Sequence, residues 1–293
     1  MKEIVVISGK GGTGKTSVTA AFAQLAGTDA IIADCDVDAA DMHLLMEPDM
    51  SGGEDFYSGF LAVIEPDKCT GCGKCKEVCR FGAISEDQGI YRVLPLECEG
   101  CGYCARVCPA EAIDMELQNV GKWYDSAIKS GSRMIHARLG IGAENSGKLV
   151  AQVKKVARKM AEEQGKDYVI VDGSPGVGCP VVSSLSGADY VLLVTEPSVA
   201  GIHDLRRVYQ LVAKFRIKAG CIINKYDLKE EKTEEIKEFL ESEGISLVGS
   251  IPYNENFTRA MTEGKTIVEY DDPALAGILR NSWEKVGEIV ARL

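Results

Sequence analysis

Two sets of residues in this sequence have the types and spacing to do chemistry. The first is Gly9-Lys10-Gly11-Gly12-Thr13-Gly14-Lys15-Thr16, which fits G-x-x-x-x-G-K-[ST] and runs on into Ser17. Glycines at these positions let backbone N–H groups point inward at phosphate oxygens, and a helix opening there adds a favourable dipole. In this pattern the Lys15 ammonium neutralises the β- and γ-phosphates and the Thr16 hydroxyl ligates Mg²⁺. The second set is the cysteines. Of eleven, eight fall between Cys69 and Cys108. Cys69, Cys72, Cys75 and Cys79 are spaced C-x₂-C-x₂-C-x₃-C, and Cys98, Cys101, Cys104 and Cys108 repeat that spacing 29 residues later. Each run is followed by an Ala-Ile pair, Ala83-Ile84 and Ala112-Ile113. Thiolates this close bring sulfur and backbone N–H groups around an iron–sulfur cubane. Zinc is the competing use of four cysteines.

The cysteine spacing resembles that of bacterial two-cluster ferredoxins. The resemblance implies that the fourth cysteine of each run serves the other cluster. One [4Fe–4S] cluster then takes Cys69, Cys72, Cys75 and Cys108, and the other takes Cys98, Cys101, Cys104 and Cys79. Pro109 follows the second run as in those proteins, whereas Arg80 stands where the first would carry proline.

The loop Lys10-Gly11-Gly12-Thr13-Gly14-Lys15-Thr16 resembles the deviant phosphate loop of the MinD/ParA/nitrogenase-iron-protein superfamily. The resemblance implies that Lys10 crosses a dimer interface to the partner's nucleotide and stabilises transferring charge there. It also implies that Asp36, in Asp34-Cys35-Asp36, orients the attacking water, with Asp34 and Asp38 as alternatives. Tyr168-Val169-Ile170-Val171-Asp172-Gly173-Ser174-Pro175-Gly176 is similar to the family's second switch, D-x-P-P-G, with Ser174 in place of a proline. By that likeness Asp172 holds Mg²⁺ through water and the Gly176 N–H meets the γ-phosphate. Ile223-Asn224-Lys225-Tyr226-Asp227 sits where the family holds its base, so Asn224 reads the purine. The same stretch fits N-K-x-D, which would make Asp227 a guanine reader and GTP the ligand. The family resemblance favours ATP, and Ile251-Pro252-Tyr253 resembles the loop whose backbone contacts adenine, which places Pro252 in the site.

These residues need a scaffold. Short apolar runs recur at Ile4–Ile7, Ala30–Ala33, Tyr168–Val171, Tyr190–Val194 and Cys221–Ile223. Between them Leu149, Val153, Val156 and Met160, and then Leu205, Val208, Val212 and Phe215, repeat at helical spacing. Strands alternating with helices predict an α/β fold, a mostly parallel sheet with helices on both faces. The cysteine window predicts an inserted small α+β domain of the bacterial ferredoxin type at 62–117, interrupting an ATPase domain of residues 1–61 and 118–293. Glycines and acids between Met46 and Gly59 read as a connecting loop. Apolar residues from Ile278 to Leu293 predict a C-terminal helix packed on the sheet, because its basic residues are offset by Glu284 and Glu288. Cys35 and Cys221 read as core residues, Cys179 as a small buried thiol, with a subunit-bridging metal ligand as the alternative that the likeness to the nitrogenase iron protein's second switch implies, and His43, His136 and His203 as structural. Glu144–Val150 also resembles the family, with helix capping by Asn145 or Ser146 as the simplest role.

The chain has 293 residues, 45% of them hydrophobic, and a net charge of −11. An acidic surface disfavours nucleic-acid partners. No apolar run reaches the ~18 residues of a membrane span. Cysteine-rich spacing without an export signal points to a reducing, cytoplasmic setting. The cofactors implied are two [4Fe–4S] clusters, ATP and Mg²⁺. The partners implied are a second copy or a similar ATPase in a nucleotide-dependent dimer, and a redox protein. The expected function is an ATPase that couples nucleotide hydrolysis to electron transfer through the clusters. The alternatives are a cluster-assembly carrier, disfavoured by the lack of a C-x-x-C outside the eight cysteines, and a redox-sensing positioning ATPase.

Overall fold

A computed structural model describes residues 1–140 and 146–293. The chain forms two compact units. The first takes Met1–Glu54, Trp123–Arg138 and Ser146–Leu293, and the second takes Asp55–Lys122 with Leu139 and Gly140. The first unit opens with β1 (Lys2–Ile7), α1 (Lys15–Ala26), β2 (Ala30–Asp34) and α2 (Met42–Met46). Then come β3 (Glu54–Ile64), α3 (Lys74–Val78), β4 (Ile84–Asp87), β5 (Ile90–Val93), α4 (Tyr103–Val107) and β6 (Ile113–Ala127). The first unit resumes with β7 (Arg133–Leu139), α5 (Ser146–Glu163), β8 (Tyr168–Asp172), α6 (Cys179–Leu185), β9 (Tyr190–Thr195) and α7 (Val199–Phe215). It ends with β10 (Lys218–Asn224), α8 (Glu230–Ser242), β11 (Ser246–Ile251), α9 (Asn256–Thr262) and α10 (Pro273–Val290).

In the first unit the strands lie in the order β11-β10-β9-β1-β8-β2-β7, and every pair described among them is parallel. Such a sheet is covered on both faces, so its strands are apolar throughout instead of alternating. In β1, Ile4 and Val6 join the core beneath α1 and α10, while Glu3 on the opposite pleat faces α5. The α10 helix buries Leu275, Leu279, Val286 and Val290, and Trp283 lies against Phe22 and Tyr168 at 5.2 and 5.3 Å between ring centroids. Among the described residues no helix is long and apolar enough to cross a membrane.

The second face carries a charge where a strand usually has none. Glu3, 1% exposed, forms ion pairs with Lys154 at 2.8 Å and Arg158 at 3.1 Å. The buried Lys154 ammonium also donates to the carbonyls of Ser184 and Ser186 at the end of α6. One ammonium thereby ties β1, α5 and α6 together and fixes the helix that follows the 172–178 loop.

In the second unit β3 pairs with β6, and β4 and β5 form a hairpin with Asp87 opposite Ile90. Its two turn residues, Gln88 and Gly89, both have positive φ, the conformation a two-residue hairpin favours. A small core joins Ala62, Cys75, Ile84 and Ile113. Residues 62–117 thus fall inside a wider unit. The expected loop at 46–59 gives way from Glu54 on to β3, because pairing with β6 supplies its backbone hydrogen bonds and turns Ser58 and Ala62 inward. That pairing is long-range, so no local pattern announced it.

Glu3→Ala leaves a buried ammonium without its carboxylate, which costs ~3–5 kcal/mol. Replacing Glu3 and Lys154 together by methionine is expected to recover most of that loss. Urea denaturation midpoints of the three proteins check the pair.

Candidate nucleotide site

The site forms at the carboxyl ends of the parallel strands, the usual place for ligands in such sheets. Register brings its carboxylates together: Asp34 ends β2 directly opposite Asp172, which ends β8. The loop after β1 wraps over them. Gly14 enters α1 with φ of 89°, and a Cβ there would stand 2.3 Å from the Asn224 amide. Gly9 has no room either, since a Cβ would meet the Asp204 backbone at 2.4 Å. Glycine is required at both positions, for conformation at one and for close approach at both.

Lys15 is 6% exposed. Its Nζ lies 2.9 Å from Asp172 Oδ1 and 3.3 Å from Asp36 Oδ2. Burial acts to lower its pKa, but the Asp172 and Asp36 carboxylates outweigh burial and raise it. Thr16 and Thr19 donate their hydroxyls to the two oxygens of Asp172, at 2.9 and 2.8 Å. Burial raises the pKa of Asp36. It pushes that of Asp34 up to about 8, helped by the facing Asp172 carboxylate. With Asp34 keeping its proton, two carboxylates, Asp36 and Asp172, face one ammonium and leave an excess of negative charge beside Thr16. Ser174, the departure from the family's proline, donates to the Cys35 carbonyl at 2.8 Å and joins the segments after β2 and β8.

A cleft of about 430 Å³ opens beside these groups, lined by Gly11 through Ser17, Asp36, Pro175, Asn224, Pro252 and Tyr253. Residues of α9, Phe257, Thr258 and Met261, close its far wall. The structure thus assembles Gly11, Gly12, Thr13, Gly14, Lys15, Thr16, Ser17, Asp36, Asn224 and Pro252 in one place. The Asn224 amide donates to the Thr13 carbonyl at 2.8 Å. Gly9, Lys10, Asp172 and Gly176 lie outside the lining. The Gly176 N–H donates to the Ser8 carbonyl at 2.9 Å. Lys10 reaches across its own chain to Glu196 at 2.6 Å. Glu196 also takes Lys225 at 2.9 Å; burial would raise its pKa, yet the two lysines lower it. Glu196 escaped sequence reasoning, although its place at the end of β9, two residues before the Ser198 N-cap of α7, was legible. The Asp227 carboxylate accepts the Tyr253 N–H at 2.7 Å and fastens the loop that carries Pro252.

The eight clustered cysteines line two cavities in the second unit. One is bounded by Cys69, Cys72, Cys75 and Cys108, the other by Cys79, Cys98, Cys101 and Cys104. These are called the first and second cavities below. Among the described residues no three His, Cys, Asp or Glu side chains converge to hold one metal ion. Cys35 and Cys221 are buried, but Cys179 is exposed, which corrects the expectation of a buried thiol. The buried face of α6 is Val181, Ser184 and Leu185, and a residue two before Val181 points away from it. His136 is a core residue, its pKa lowered to about 4 by burial, with Nε2 2.8 Å from Ser126 Oγ. Glu144 and Asn145 lie outside the described residues.

The family model of the CobQ/CobB/MinD/ParA nucleotide binding domain matches residues 4–267. An uncharacterized protein of Methanocaldococcus jannaschii, MJ0578, is 34% identical over 226 residues, 76% of this chain and 78% of that protein. A second from the same organism, MJ0579, is 27% identical over 98% of this chain and 96% of its own length. The septum site-determining protein MinD of Pyrococcus horikoshii, solved with Mg-ADP, shares the fold over the whole chain, with a TM-score of 0.60 at 19% identity.

Folded Asp34 keeps its proton up to about 8, against an ordinary value of 3.8. Between those values the folded state binds the extra proton, so stability falls as pH rises through the window. Asp34→Asn is expected to flatten that fall, checked by urea titrations of nucleotide-free protein from pH 5 to 8. Asp227→Ala is expected to weaken ATP and GTP alike by loosening the Tyr253 loop, with ATP still preferred. Competition binding in which the variant reverses the preference would make Asp227 a base reader after all.

Proposed function

The chain belongs to the CobQ/CobB/MinD/ParA nucleotide-binding family, and on that footing we propose that it is a Mg²⁺-dependent ATPase whose cycle drives electron transfer through two [4Fe–4S] clusters to a redox partner. The observation that carries the redox half is the make-up of the two cavities. Each unites three cysteines of one run with the fourth of the other, the crossed arrangement that two-cluster ferredoxins use. The four irons of a cubane take one thiolate each, so its donors surround a volume and need not converge on a single ion. When bound, such clusters supply one-electron storage at low potential.

The nucleotide half follows from the cleft. Lys15 and the loop N–H groups hold the phosphates, and Thr16 and Asp172 hold Mg²⁺. Asp36, at the cleft wall, orients the attacking water. Asn224 and the Asp227-fastened loop at Pro252 hold the base. Gly176 exchanges its Ser8 acceptor for the γ-phosphate. Lys10 leaves Glu196 and acts on the nucleotide of a second subunit, which makes the active form a dimer of this chain or of this chain with a similar ATPase. The chain leaves the first unit after Asp36 and α2, so movement of the Asp36 segment on binding γ-phosphate is transmitted along the backbone toward the cysteine-bearing unit. Coupling of ~1–3 kcal/mol is typical of such switches.

A second reading, a positioning ATPase whose clusters sense redox state, is favoured by the fold shared with the septum site-determining protein. One set of measurements separates the two. Anaerobically prepared protein is expected to hold about eight irons and eight sulfides per chain. A nonhydrolysable ATP analogue is expected to shift the cluster midpoint potentials or the rate of electron delivery to an acceptor. Lys10→Ala should still bind ATP yet neither dimerise nor hydrolyse it. Identical potentials and rates with and without the analogue would favour the sensor, and a protein that incorporates no iron on reconstitution would remove the redox half altogether.

A further inference from the structure

The duplicated cysteine runs allow the two cavities to be compared position by position. Each run carries its third cysteine on a short helix entered through a left-handed glycine, Gly73 before α3 and Gly102 before α4. Positions 29 residues apart are therefore structural equivalents. Between Cys69–Cys79 and Cys98–Cys108, Thr70 against Glu99, Lys74 against Tyr103 and Lys76 against Ala105 make the first run the more positive, as does Lys68 against Glu97 just before it, while Glu77 against Arg106 runs the other way but lines neither cavity. Thr70 and Lys74 line the first cavity, whereas Glu99 and Tyr103 line the second. Lys68 is tied to Glu65 at 2.7 Å, so the contrast rests chiefly on Lys74 and Glu99. Arg80 follows Cys79 but stays outside the lining of the second cavity.

The neutral neighbours differ in the same sense. The Tyr91 hydroxyl, on the wall of the first cavity, lies 3.0 Å from where a Cβ on Gly73 would stand. The equivalent Gly102 faces the thioether of Met115. A phenol can donate a hydrogen bond toward sulfur and a thioether cannot.

A thiolate-bound cluster becomes more negative on reduction. Nearby cations and hydroxyl donors favour that state and nearby anions oppose it. Resting on the reading of the eight cysteines as cluster ligands, we propose that the two cavities are built for different potentials, the first higher than the second. A single electron on the chain then resides in the first cavity, and the second serves as the relay through which it arrives. In that step one electron leaves the second cavity and enters the first, with no bond or proton change. A low-potential one-electron donor supplies it. Lys74 and Glu99 are both exposed, so salt screens their contribution and the gap is widest at low ionic strength.

The test is mediated potentiometric titration of the anaerobic full-length protein, followed by EPR. Wild type is expected to reduce in two steps separated by at least a tenfold preference, ~59 mV for one electron, and to close part of that gap in high salt. Lys74→Gln should lower the upper step and leave the lower one in place, with Lys74→Arg restoring it. Glu99→Gln should raise the lower step alone. A single common midpoint in a protein carrying about eight irons overturns the inference while leaving the cluster reading intact. So does Lys74→Gln moving the lower step. A chain that takes up no iron removes the cluster reading and the inference with it.

Discussion

The structure of the nucleotide site turns on one buried ammonium. Lys15 lies within 3.3 Å of the Asp36 carboxylate and closer still to Asp172, with Asp34 held at the same level by strand register. A buried charge is tolerated only when paired and hydrogen-bonded, so the position of Lys15 dictates the rest. The phosphate loop must bring it down onto the strand ends. Gly9 and Gly14 must let that loop pass Asp204 and Asn224. Thr16 and Thr19 must occupy the remaining lone pairs of Asp172. The arrangement remains short of positive charge, and this is why burial leaves Asp34 protonated up to about 8. The groups of the site are thus held by pairing with one another.

The same economy recurs at Glu196. That carboxylate accepts Lys10 and Lys225 together, and Lys225 also reaches the Gly12 carbonyl at 3.2 Å. Pairing Lys10 within its own chain keeps an otherwise free ammonium beside the phosphate loop in a defined place.

The second unit is held differently. Its core joins few residues, and Cys75 is one of them, with Cys79, Cys98, Cys104 and Cys108 packed around it. A module this small gains much of its stability from bound metal when it has a site for one. Ile84 and Ile113, the second members of the repeated Ala-Ile pairs, both lie in this core. The repeat in the sequence is thus a repeat in packing.

The sequence by itself determined the phosphate loop, the parallel α/β class, the duplicated spacing of the eight cysteines and the burial of α10, whereas the crossed grouping of those cysteines was what the ferredoxin resemblance implied. Each depends on short-range spacing or on periodicity, which a linear chain records directly. It did not determine what depends on residues far apart in the chain meeting in space. The strand at Glu54–Ile64 reads as loop until β6 supplies its partner. Glu196 reads as an ordinary acid until Lys10 and Lys225, 186 and 29 residues away, converge on it. Asp227 shows no tie to the 251–253 loop until its carboxylate is found on the Tyr253 N–H. Cys179 reads as buried until the orientation of α6 is known. In each case the residue type was visible and its partner was not, because a hydrogen bond or ion pair has no meaning until the tertiary fold has chosen which groups stand within about 3 Å of one another.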